Sequence, residues 1–190
     1  MNRELAPVIV LMFGHNCAGK STVGKALAGL FAQSAFIEVD ELRYKVVGGL
    51  VAYSDGVNPK EAPEEYAAQC WMGVENAVAL ARNFAAHGFS SVIEGLEDGC
   101  RPETGWSESQ FDSMSVFHVA LICDESTMLK RVTERGWGDG VSLSAGFKRD
   151  HAWYHSHQDM FDYTVRTDEN SPDKAAELID KCIFNYTEQR

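Results

Sequence analysis

The chain has 190 residues, with 17 basic against 28 acidic side chains and a formal charge of -11 at neutral pH. That length suits one core, so a single domain over 1–190 is expected, and the acidic balance works against long-range attraction to nucleic acid or an anionic membrane. Five cysteines (Cys17, Cys70, Cys100, Cys123 and Cys182), odd in number and without a CxxC pair, argue against a disulfide framework or zinc knuckle and for a reduced, cytoplasmic protein.

In chain order, PVIVLMF at 7–13 reads as a buried strand. The apolar stretch is about nine residues long with no small-residue cleavage pattern after it, so a strand is expected rather than a membrane span or secretory leader. A helix is predicted over 20–33, and AFIEVD at 35–40 is a second strand ending in the acid Asp40. Residues 40–48 suit a short helix stopped by Gly48-Gly49, and 53–63, rich in Gly, Pro, Asn and Asp, suit a loop. A long helix starts at Pro63 and closes at His87-Gly88. Its apolar positions Tyr66, Cys70, Val74, Ala77, Val78, Ala81 and Phe84 recur at the spacing of one buried helix face. SSVIEG at 90–95 is a third strand, 97–110 a polar loop, 116–123 a fourth strand and 124–135 a helix. After a glycine break at 136–140 come a helix over 145–157, a strand over 163–167 and a final helix opened by Ser171-Pro172. Apolar strands alternating with helices predict an α/β fold, a five-stranded parallel sheet covered on both faces.

Between the first strand and the first helix lies GHNCAGKST: Gly14, His15, Asn16, Cys17, Ala18, Gly19, Lys20, Ser21 and Thr22. Gly14 to Ser21 fits GxxxxGK followed by Ser or Thr in full, in the strand-to-helix context that the motif requires. Glycines let successive N–H groups converge beside a positive helix N-terminus, so the expected occupant is the phosphate chain of a nucleotide. Lys20 would reach the β/γ-phosphates, Ser21 would offer its hydroxyl to Mg²⁺, and Thr22 would contact the α-phosphate. Cys17 reads as a small space-filler within the loop.

Other candidates follow from spacing. Asp40 and Arg43 are three apart, so a short helix can turn both toward the crevice above the loop. Asp40 would accept the proton of an attacking hydroxyl while Arg43 holds the acceptor or stabilises charge; the competing reading makes Asp40 a helix cap. Arg131 and Arg135, four apart before the glycine break, form a candidate clamp that closes over ATP, within a lid at about 131–150. Glu94, ending the third strand, is a candidate for Mg²⁺ through water or for the acceptor. Trp71, Trp106 and Trp153 can line an acceptor pocket or pack in the core. His151, His155 and His157 have a spacing that permits a metal, but no matching third ligand accompanies them, so the metal reading is set aside.

With the phosphate loop, VDELR, VIEG and the paired arginines together, nearly the whole chain resembles the small P-loop kinases: gluconate and shikimate kinases, chloramphenicol phosphotransferase, and the kinase domain of polynucleotide kinases. The resemblance implies the P-loop NTPase sandwich of three α/β/α layers with a helical lid. It implies an aspartate base or acceptor anchor at Asp40 and lid arginines at Arg131 and Arg135. From YTVRTDENSPDKAAELI it implies a last strand followed by a loop that places Thr167 and Pro172 beside the adenine. No aspartate-rich strand accompanies the motif, which leaves the second metal contact unassigned.

The expected function is an ATP- and Mg²⁺-dependent phosphotransferase acting on a hydroxyl of a small-molecule acceptor, as a monomer or homodimer without nucleic-acid or membrane partners. Two alternatives stand beside it. A 5′-hydroxyl polynucleotide kinase is supported by Asp40 and Arg43 and opposed by the acidic charge, and a nucleotide-binding regulatory ATPase would have no acceptor.

Overall fold

The structure is a computed structural model that describes residues 6–51, 63–96, 98–111, 114–137 and 143–188. Its strands are β1 (Val8–Gly14), β2 (Ser34–Glu38), β3 (Ser90–Glu94), β4 (Ser115–Ile122) and β5 (Tyr163–Arg166). Its helices are α1 (Lys20–Ala28), α2 (Val39–Arg43), α3 (Pro63–Ala86), α4 (Trp106–Gln110), α5 (Glu125–Glu134), α6 (Ala145–Ser156) and α7 (Pro172–Glu188). The strands form one parallel sheet in the order β2-β3-β1-β4-β5.

Strand β1 is apolar at nearly every position because it runs through the middle of a sheet covered on both sides. Successive side chains point to opposite faces. Ile9, Leu11 and Phe13 join one core with Ile37 and with Val74, Ala77 and Ala81 of α3. Val8, Val10 and Met12 join the other with Val23 and Leu27 of α1 and Ala176 and Ile179 of α7. Full burial of each such aliphatic side chain contributes about 1.5–3 kcal/mol.

Along α3, Cys70, Val74, Ala77, Val78 and Ala81 are buried as the spacing predicts, while Tyr66 is half-buried and lines a cleft. Helix α1 stops at Ala28, short of the expected 33, since the Ser34 hydroxyl donates to the Ala28 carbonyl at 2.6 Å and closes the helix end. Strand β2 ends at Glu38, which occupies the N-cap position of α2, so Asp40 belongs to the first turn of that helix rather than to the strand. Helix α2 is shorter than the predicted 40–48. The segment 97–110, expected as a loop, holds α4 and two 3₁₀ turns at Asp98–Cys100 and Pro102–Thr104. The loop expected at 53–63, apart from Pro63, and the 138–140 part of the glycine break lie outside the described residues. Among the described residues no helix is long and apolar enough to cross a membrane.

Candidate active site

The parallel register sets Glu38, Met12 and Glu94 level with one another, so the carboxyl ends of β2, β3 and β1 share one edge of the sheet. Ligands collect at this edge in open α/β sheets. The loop from β1 to α1 can curl there because Gly14 has φ 141, and a Cβ at that position would lie 2.3 Å from the Leu121 carbonyl oxygen. Only glycine fits that conformation and that space. Cys17, at φ 60, is the one residue other than glycine in the left-handed region among the described residues. Its side chain is buried with Cys123, Met128, Val132 and Leu143, in keeping with a space-filling role, and burial pushes its thiol up.

Lys20 folds back over its own loop and donates to the carbonyls of Gly14 at 2.9 Å and His15 at 3.2 Å. Burial lowers its affinity for a proton, with Glu94 acting in the opposite direction. Ser21 donates to Glu94 Oε1 at 2.9 Å. Burial raises the Glu94 carboxyl above its ordinary range, against the pull of Lys20 and the Ser21 hydrogen bond, and the nearby carboxylates Glu38 and Asp40 add to the rise.

Two cavities meet at this loop. The larger, about 460 Å³, is lined by His15, Asn16, Lys20, Ser21, Glu38, Asp40, Glu41, Tyr66, Glu94, Arg101, Asp150 and Tyr154, among others. The second, about 340 Å³, is bounded by Thr22, Val23, Arg131, Glu134, Thr167, Asn170 and Pro172. Cys17, Gly19 and Arg135 line both.

Most of the sequence-predicted residues converge here, in ways that differ from their expected geometry. Asp40 lines the larger cavity with 68% of its side chain exposed. Arg43 does not face the crevice: it is buried, donates to Val51 O at 3.2 Å and to Asp40 Oδ1 at 3.4 Å, and stacks on Tyr44 and Tyr66. Packing of α2 against α3 turns that side chain away from the phosphate loop and makes it a support for Asp40. Arg131 is held by protein oxygens, donating to Cys17 O at 3.1 Å, Thr167 Oγ1 at 2.9 Å and Thr167 O at 2.8 Å. The Thr167 hydroxyl in turn donates to the Ala18 carbonyl at 2.7 Å, so the end of β5 is stitched to the phosphate loop. Arg135 stands at the junction of the two cavities with its guanidinium 5.0 Å from the Trp137 ring.

Trp71 and Trp106 pack against each other at the core, and Trp153 carries the guanidinium of Arg101 at 3.4 Å from its ring. Sequence reasoning missed Arg101, a nearly buried cation reaching the larger cavity from an irregular segment without any periodic signal. It also missed His15 as a partner of His151 and His155, with which it forms one cluster, whereas His157 stacks on Trp153 instead. Burial drops the His15 pKa from 6.5 to about 4, opposed by its bond to the Asn16 carbonyl and aided by His151 and Lys20.

Solved structures of similar shape share this architecture. The tunicamycin resistance protein of Deinococcus radiodurans aligns with TM-score 0.65 at 19% identity over 93% of this chain and 95% of its own. Shikimate kinase from Aquifex aeolicus aligns with TM-score 0.63 at 19% identity over 94% and 97%. The APS kinase of Mycobacterium tuberculosis, solved with AMPPNP and APS, aligns with TM-score 0.65 at 14% identity over 94% and 98%. No curated protein matches the chain. A model of the chloramphenicol phosphotransferase-like protein family matches residues 7–183, nearly the whole length, and the chain therefore belongs to that family of P-loop phosphotransferases.

Proposed function

We propose that the protein is an ATP- and Mg²⁺-dependent kinase that phosphorylates a hydroxyl of a small molecule. The observation that carries this reading is the meeting of two cavities at one phosphate loop, with Cys17, Gly19 and Arg135 common to both. The cavity bounded by Thr22, Thr167, Asn170 and Pro172 suits a nucleoside, and the one holding Lys20, Asp40 and Glu94 suits the acceptor. A phosphoryl group lying on the loop between them needs positioning and charge stabilisation more than covalent chemistry.

Each residue then has a task. Lys20 exchanges its two loop carbonyls for phosphate oxygens. Ser21 and Glu94 present two hard oxygen donors side by side, a set that fits Mg²⁺. When bound, the ion neutralises charge building up on the phosphate oxygens. Asp40 receives the acceptor's proton, with Arg43 fixing its orientation from below. Arg135 supplies positive charge where the cavities join, while Arg131 holds the Cys17 and Thr167 carbonyls and so shapes the nucleotide side. The carboxylates Glu38, Asp40, Glu41, Glu94 and Asp150 around the larger cavity disfavour a polyanionic acceptor, which supports a small molecule over an oligonucleotide.

The test is a library of metabolites and antibiotics screened for ADP release, with mass spectrometry of any acceptor that gains phosphate. The structural neighbours named for shikimate and for tunicamycin resistance make shikimate and tunicamycin sensible first members. Slow ATP hydrolysis with no phosphorylated product from any acceptor would turn the reading toward a regulatory ATPase, and phosphorylation of an oligonucleotide alone toward a polynucleotide kinase.

A further inference from the structure

Three imidazoles from two distant parts of the chain meet behind the phosphate loop. His15 belongs to the loop, His151 and His155 lie one turn apart on α6, and the ligand nitrogens that they offer all lie within 4.8 Å of one another. Their rings are 5.1 Å (His15 to His151), 4.2 Å (His151 to His155) and 6.3 Å (His15 to His155) apart between centroids. The spacing of four residues on a helix puts His151 and His155 on one side of α6, and the fold brings the buried third ring to them.

The hydrogen bonds define what each ring has to offer. His15 Nδ1 lies 2.8 Å from the Asn16 carbonyl, to which it donates, so Nε2 keeps a lone pair and accepts from the Cys123 N–H at 3.1 Å. A backbone carbonyl on the far nitrogen is the partner that fixes the tautomer of metal-ligating histidines. His151 Nε2 and His155 Nε2 both lie 3.0 Å from the Cys123 carbonyl and donate to it. The cluster has no oxygen ligand, and Lys20 stands near His15, so a hard cation such as Mg²⁺ has nothing to hold it there. Neutral imidazoles suit a borderline dication, above all Zn²⁺.

We infer that His15, His151 and His155 form a binding site for a transition-metal dication of the Zn²⁺ type, which fastens α6 to the phosphate loop. Binding requires that His15 Nε2 release the Cys123 N–H and that His151 and His155 release the Cys123 carbonyl and carry their protons on Nδ1. It also requires the three nitrogens to close to roughly 3.3 Å, the separation that metal–nitrogen bonds of about 2.0–2.1 Å impose in a tetrahedron. The fourth position is left to water. Because α6 also carries Asp150 and Tyr154 into the larger cavity, the metal would hold that wall in place against the loop.

The test uses the full chain stripped with a chelator and titrated with Zn²⁺ by calorimetry, without nucleotide, and with Co²⁺ by visible absorption. One equivalent of Zn²⁺ is expected, with a rise in melting temperature and the d–d bands of a four-coordinate nitrogen site for Co²⁺. His151→Asn and His155→Asn each remove one ligand and should weaken Zn²⁺ binding by at least roughly 100-fold. His157→Asn, whose native ring stacks on Trp153, should leave it unchanged. Melting of the metal-free variants checks that each is folded, and the Co²⁺ spectrum of the unmodified chain decides the matter if either is not. Absence of saturable binding, an affinity in both α6 variants equal to that of the unmodified chain, or a thiolate-to-cobalt charge-transfer band would overturn the site and leave the three rings as a hydrogen-bonded latch on Cys123.

Discussion

Ser21 and Glu94 stand 73 positions apart, yet the hydroxyl of one donates to the carboxylate of the other at 2.9 Å, joining the first turn of α1 to the end of β3. Glu94 is held there although burial favours its protonated form, a cost that a bound cation offsets. Glu94→Gln keeps an acceptor for Ser21 and removes the charge. The Mg²⁺ concentration needed for half-maximal turnover should rise about 10- to 100-fold. Melting temperature in the absence of nucleotide should stay level or increase, because the raised carboxyl pKa means that ionised Glu94 weakens the fold at neutral pH. An unchanged Mg²⁺ requirement would remove Glu94 from the metal site.

Asp40 sits within α2 while Glu38 takes the N-cap position, so loss of a cap does not accompany its replacement. Asp40→Asn should alter stability by no more than about 0.5 kcal/mol and leave Mg·ATP affinity nearly intact. Phosphoryl transfer should fall by about 10²- to 10⁴-fold, toward the lower end if the transition state is loose. Stability, nucleotide affinity and transfer measured on the same preparation separate these outcomes, and a wild-type transfer rate refutes the role as base.

The two arginines of α5 should separate by what they disturb. Arg131→Ala deletes three hydrogen bonds to Cys17 and Thr167 and should destabilise the protein by about 2–4 kcal/mol, with weaker nucleotide binding. Arg135→Ala, at an exposed helix end, should change stability by under about 0.5 kcal/mol but lower kcat by roughly 10²-fold. Thermal melting with steady-state kinetics on both variants checks the contrast.

Gly14→Ala introduces a Cβ 2.3 Å from the Leu121 carbonyl oxygen at φ 141. Backbone strain of about 1–3 kcal/mol, plus displacement of β1 from β4, should lower the melting temperature and abolish nucleotide binding together. A variant that binds Mg·ATP normally would show that the loop tolerates another conformation.

His15 provides a pH signature. Its pKa is depressed from 6.5 to about 4 in the folded state, so the unfolded chain binds the extra proton first as pH falls. Stability from this group is complete above about pH 6.5 and is lost between there and about pH 4, on the order of 3 kcal/mol in total. His15→Gln can still accept from the Cys123 N–H without titrating, so its melting temperature should decline less steeply across that window. Parallel curves for both proteins would assign the acid sensitivity to other groups.

What the sequence by itself determined about this protein is what neighbours along the chain determine. The apolar run of β1, the buried stripe of α3 and the phosphate loop between a strand and a helix all follow from residue spacing and from the conformations open to glycine. The resemblance to the small P-loop kinases likewise rests on short local stretches, the phosphate loop, VDELR, VIEG and the paired arginines. Tertiary structure alone decided the rest, because each remaining feature joins residues that no period relates. Packing of α2 on α3 buries Arg43 over Tyr66, so that of these two residues of α2 only Asp40 lines the cavity. The placing of β5 beside β4 brings Thr167 to Arg131, whose guanidinium it holds at the edge of the second cavity. Arg101 enters the larger cavity from an irregular segment supported by Trp153. The third partner of His151 and His155 is the loop residue His15, more than a hundred positions earlier, and only the docking of α6 beside β4 supplies it.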